Sequence, residues 1–111
     1  MRIVFSLFVF GALCMGCSDA ASTSSDRVAT IDALTGDVTR GKGLYEAQCL
    51  DCHGANGRSG SASVDVGAFG KQDPKGAMAQ ILEGGGGMPA FDTLSDQDVA
   101  DLVAYLNNGL Q

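Results

Sequence analysis

Cys49 and Cys52 stand three residues apart, and the chain's single histidine, His53, follows directly. No other feature constrains the fold as tightly. The body around it is short: Asp37 to Gln111 makes about 75 residues, and an apolar core of that size rarely supplies more than ~3–5 kcal/mol. A staple is therefore expected. The remaining cysteines, Cys14 and Cys17, close an apolar N-terminal run and do a different job. Three readings of the triplet are weak on chemistry. Zinc wants four ligands, whereas Cys49, Cys52 and His53 are too adjacent to surround a metal alone. A thioredoxin-like redox pair belongs beside a βαβ pattern, which the sequence does not show. A Cys49–Cys52 disulfide is chemically allowed, yet it leaves a small domain little stabilised and the histidine unexplained.

Cys49-Leu50-Asp51-Cys52-His53 has the C-x-x-C-H spacing of c-type haem attachment. Thiols at i and i+3 lie on one face of a helical turn, where each can bond one haem vinyl group. His53, next in line, can turn its imidazole to the iron. For the opposite axial position only Met78 and Met88 remain, because Met1 and Met15 fall in the N-terminal run. Met78 lies inside an expected helix and reads as core packing. Met88 follows the glycines Gly84 to Gly87 and precedes Pro89. Such a loop can approach a cofactor closely, and the proline fixes its exit. Met88 is the expected second axial ligand. With both positions filled, the iron has no place for oxygen or a substrate and can only change valence.

The N-terminus reads as an export signal. Met1-Arg2 supplies a positive start, and Ile3 to Leu13 is apolar but too short to span a bilayer. Gly16-Cys17 after that run resembles a bacterial lipobox, which implies a signal peptide over 1–16 and lipid on Cys17. Cys14 stands where that pattern usually has leucine. Cleavage after Ala20 or Ala21, giving a soluble form, and an uncleaved anchor stay open. Residues 17–36, rich in Ser, Ala, Thr and Asp, read as a flexible linker. The folded domain is expected over 37–111.

An all-α architecture is expected, with three main helices and long loops. The first starts at Asp37 as N-cap and runs to about Cys52, with Val38, Gly41, Tyr45, Cys49 and Cys52 along one face. The second opens with Pro74 and stops at Gly84. The third has Ser95 as N-cap, Asp98 closing a capping box, and a stripe of Val99, Leu102, Val103 and Leu106. Gly54 to Asp73 reads as loop. Asp96, Asp98 and Asp101 read as a solvated face at the N-terminus of the last helix.

At this point the chain resembles the class I c-type cytochromes, in particular the small bacterial monohaem proteins of the c5, c6 and c553 kind. The likeness rests on Gly41, Tyr45, the run Cys49 to Gly54, Gly87-Met88-Pro89-Ala90-Phe91, and Leu102 with Tyr105. It implies that the first and last helices cross at Gly41 and Tyr45 against Leu102 and Tyr105. A glycine in mid-helix costs up to ~1 kcal/mol against alanine, which makes sense where two backbones must nearly touch. Many relatives also have a proline soon after the motif, whose carbonyl accepts from the histidine ring. Here the loop has none, and the acceptor for His53 is left unnamed. Arg58, Lys71 and Lys75 are candidates to face haem propionates.

The resulting expectation is a single-electron carrier with one covalent haem c, tethered to a membrane outside the cytoplasm. The alternative is an electron-relay subunit of a periplasmic oxidoreductase. A gas sensor would need Met88 to be displaceable. The net charge of −6 argues against nucleic acid and favours redox protein partners with basic docking surfaces. One histidine and no carboxylate pair at a second metal leave no acid–base machinery, so neither an enzyme nor a small-molecule substrate is expected.

Overall fold

The computed structural model describes residues 23–62 and 64–110. The proposed signal peptide and Cys17 lie outside them. Six helices follow in order: α1 (Ser24–Asp32), α2 (Val38–Gln48), α3 (Leu50–His53), α4 (Val66–Gln72), α5 (Pro74–Glu83) and α6 (Asp96–Asn108). Among the described residues the only ladder contact is an isolated bridge between Gly85 and Met88. The all-α expectation holds.

The α2–α6 crossing is the most extensive helix pairing. It depends on two glycines. A Cβ on Gly41 would fall onto the Asp101 carbonyl, with the Asp101 C atom at 2.6 Å and Tyr105 Cβ at 2.9 Å. Gly36 meets α6 in the same way at Ala100 and Ala104. The close approach brings Tyr45 and Tyr105 together, with ring centroids 5.3 Å apart and planes tilted by 56°. Tyr45, Leu102 and Val99 are fully buried there. Burial of each such side chain contributes roughly 1.5–3 kcal/mol.

The start of α5 at Pro74 and its stop at Gly84 fall where the punctuation put them. So does α6, whose Ser95–Asp98 capping box forms in both directions. Four expectations need correction. The first helix divides at Cys49, which takes φ −116° and separates α2 from the short α3. The loop over 54–73 contains α4, capped by the Asp65 side chain on the Ala68 amide at 2.9 Å.

The third correction concerns the linker. Its residues 24–32 form α1, opened by a Thr23–Asp26 capping box and packed on α5 and α6. Ile31 of that helix is completely buried, so composition misled where the i, i+3 pair Val28 and Ile31 carried the signal. The fourth is Asp101, which is fully buried rather than solvated. Its carboxylate accepts from the Asp37 amide at 2.7 Å and from Gln97 Nε2 at 2.9 Å. Arg40 Nε lies 3.6 Å from its second oxygen. A buried carboxylate is tolerable because donors from two helices meet it.

Candidate functional site

The cysteine pair is placed by the α2–α3 junction. The Cys49 amide still donates to the Tyr45 carbonyl at 2.8 Å, and His53 N donates to the Cys49 carbonyl at 3.0 Å. Both thiols are free, Cys49 half-buried and Cys52 exposed. Burial pushes the Cys49 thiol up to about 11, and the neighbouring Cys52 adds to the rise.

His53 closes α3, and Gly54 caps it at φ +75°. The turn is clamped on all sides. Gly54 N donates to the Leu50 carbonyl at 2.8 Å, and the Gly54 carbonyl accepts from Gly57 N at 3.1 Å and from the Tyr45 hydroxyl at 2.6 Å. Ala62 N donates to the Cys52 carbonyl at 2.8 Å. Burial of Tyr45, its nearness to Cys49 and its nearness to Tyr105 together raise its phenol to about 12. Burial lowers the His53 imidazole below its ordinary value, which favours the neutral ring that a metal requires.

Met88 sits at the end of a loop only glycine can make. Gly84, Gly85, Gly86 and Gly87 all lie at positive φ, between 61° and 116°. The loop closes on itself through Gly85 N to the Met88 carbonyl at 2.9 Å and Met88 N to the Gly85 carbonyl at 3.1 Å. Gln80 Nε2 lies 3.8 Å from the Met88 sulfur. Met88, Cys49, Leu50, Phe69 and Phe91 stand half-buried against the same core, whereas Met78 is buried within it. The core-packing reading of Met78 agrees with that placement.

Two observations bear on whether a haem fits these residues. His53 Nδ1 is buried without a hydrogen-bond partner, so the ring is not committed elsewhere in the protein. Both thiols are free, the Met88 thioether meets only the long Gln80 Nε2 contact at 3.8 Å, and Cys49 and Met88 pack against one core. Soft thioether and imidazole donors suit haem iron. The set fits. Among the described residues no group of three His, Cys, Asp or Glu offers another metal site.

The basic residues divide. Arg58 and Lys71 line a hollow of about 250 Å³ with Asn56, Asp65 and Leu110, where Arg58 also reaches Asp65 at 3.8 Å. Lys75 instead pairs with Asp32 of α1 at 3.6 Å. The hydroxyl bond of Tyr45 and the side chains of Gln80 and Arg27 were not singled out from sequence, because each depends on contacts that spacing does not encode.

Comparison with known proteins points one way. The family described as cytochrome c oxidase, cbb3-type, subunit III matches residues 36–106. The chain is 36% identical over 80 residues to cytochrome c6 of Synechocystis sp., covering 67% of each. It is 31% identical over 109 residues to cytochrome c-551 of Bacillus subtilis, covering 96% of this chain and 91% of the relative. A cytochrome c-553-like protein of Synechocystis sp. is 33% identical over 82 residues, covering 71% and 75%. No solved structure matches the chain.

Proposed function

Because this chain belongs to the class I c-type cytochromes, which hold haem c covalently and exchange electrons with redox proteins, we propose that it is a His53/Met88-ligated carrier tethered outside the cytoplasmic membrane. The observation that carries the reading is the clamped Cys49–His53 turn in the same core as the Met88 loop. Bound haem supplies the one-electron ferric–ferrous change. Cys49 and Cys52 anchor the group, so a small domain need not bury it to retain it. His53, with its pKa lowered by burial, would offer the iron a neutral nitrogen. Met88 would offer it a thioether, which raises the haem potential relative to two histidines. With both residues committed, water and other ligands would find no open position.

Lipid on Cys17 would make the tether. With α1 folded onto the domain, six residues, 18–23, separate Cys17 from the first helix. Fully extended, they reach at most ~20 Å. The head would therefore work close to the membrane surface. Acidic charge, −6 overall, supports partners with basic docking surfaces.

A potentiometric titration of the purified holoprotein tests the carrier reading, and one reversible one-electron wave is expected. A haem that cannot be cycled ends it. Cys17→Ser should move the protein from the membrane to the soluble fraction, and an unchanged distribution removes the tether. The match to an oxidase subunit family favours a second reading, an electron-relay subunit of a larger complex. Co-purification of a catalytic subunit after gentle solubilisation would support it, and a monomeric holoprotein in the same extract would oppose it.

A further inference from the structure

Helix α1 lies outside residues 36–106, the span shared with the matching family. Its apolar side is spent on the core through Ile31 and Val28. Its arginine goes elsewhere. Arg27 donates from Nε to Asp96 Oδ1 at 2.8 Å, from Nη1 to the Asp92 carbonyl at 2.8 Å and from Nη2 to the Leu94 carbonyl at 2.6 Å. The side chain is only 18% exposed. A lone surface ion pair contributes little. Three charge-assisted bonds from one planar fork to residues 92–96 instead fix that segment's geometry.

Residues 92–96 are the C-terminal root of the loop that carries Met88. Phe91 N donates to the Ile81 carbonyl at 2.8 Å, and Leu94 N donates to the Phe91 carbonyl at 3.2 Å. The N-terminal root is the end of α5, against which α1 packs. Between the roots, the Cβ positions of Gly85, Gly86 and Gly87 meet no atom within 4 Å. Beyond the Gly85–Met88 backbone pair and the Gln80 side chain, the loop is held by its two ends.

We propose that Arg27 is a positioning residue for Met88, and that α1 is a strap holding the loop's far root so that the thioether stays at the iron. The proposal rests on Met88 being the axial ligand. Releasing the root raises the population of loop conformations with the sulfur withdrawn, and an external ligand that needs the vacated position then binds more tightly.

The test uses ferric holoprotein and imidazole as the competing ligand. Arg27→Gln, and independently Asp96→Asn, should each raise imidazole affinity roughly tenfold, the size expected when a charge-assisted contact biases a two-state loop. Hydrogen exchange at the Met88 and Phe91 amides should quicken in both variants. In a Met88→Ala background, Arg27→Gln should leave imidazole affinity unaltered. If Met88→Ala itself does not raise imidazole affinity, the ligand assignment fails. If it does, but Arg27→Gln lowers only the melting temperature and leaves imidazole affinity and Met88 exchange as in the wild type, the strap is overturned.

Discussion

Gly41 and Gly43 lie two residues apart in α2, yet replacing each by alanine should move stability in opposite directions. Alanine at either position gains up to ~1 kcal/mol of helix propensity over glycine. At Gly43 that gain stands alone, because its Cβ direction is empty to 4 Å. Gly43→Ala should stabilise by about 0.5–1 kcal/mol. At Gly41 the new methyl meets the Asp101 backbone rather than a side chain that could swing aside. Helix α6 must retreat, which loosens the tilted Tyr45–Tyr105 contact and the packing of Leu102. Overpacking of this kind costs typically 1–3 kcal/mol, so Gly41→Ala should be net destabilising. For a domain this small, each kcal/mol shifts the melting temperature by roughly 4–8 °C. Thermal unfolding of the holoproteins followed by far-ultraviolet circular dichroism reads both variants. A Gly41→Ala protein as stable as Gly43→Ala would refute the backbone-contact argument for the α2–α6 crossing.

Met88→Ala should keep the haem covalently attached, lower the reduction potential and admit carbon monoxide to the ferrous protein; visible spectra unchanged from the wild type would count against Met88 as ligand. Tyr45→Phe removes the 2.6 Å bond to the Gly54 carbonyl and should destabilise by about 1 kcal/mol in a urea titration. The same variant changes the alkaline limb. The folded Tyr45 phenol titrates near 12 against 10 in the unfolded chain, so its contribution is complete below pH 10 and disappears as pH rises through 12. Part of the Tyr45–haem-turn account is wrong if wild type and Tyr45→Phe lose stability equally over that window. Cys52→Ala should leave a single thioether, and Cys49→Ala with Cys52→Ala should release the haem in acidified organic extraction.

The sequence made some elements plain and hid others for physical reasons. Pro74, Gly84, Ser95 and Asp98 mark helix ends through local bonds, so α5 and α6 could be placed from spacing alone. Helix α4 is Val66-Gly67-Ala68-Phe69-Gly70-Lys71-Gln72, and its two glycines weaken any helical signal. Its burial of Gly67 and Gly70 against α6 is a tertiary effect. Helix α1 carries a capping box, but its serines and alanines resemble a linker, and its partners lie 65–69 residues away. The acidic start of α6 reads as a solvated face that includes Asp101. Only the arrival of the Asp37 amide and Gln97 explains its burial. At the candidate site, Cys49, Cys52, His53 and Met88 stand out because C-x-x-C-H is a contiguous motif and a run of four glycines precedes Met88. The clamp behind His53 does not, since the Tyr45 hydroxyl reaches nine residues along the chain to a carbonyl.

Covalent attachment of a single haem by Cys49 and Cys52 together, beside His53, can be weighed directly. Protein produced where haem and its attachment machinery are present should be digested, and the peptide containing residues 49–53 weighed. This peptide is expected to carry the mass of one haem, and no other peptide is. A peptide of bare polypeptide mass would contradict it.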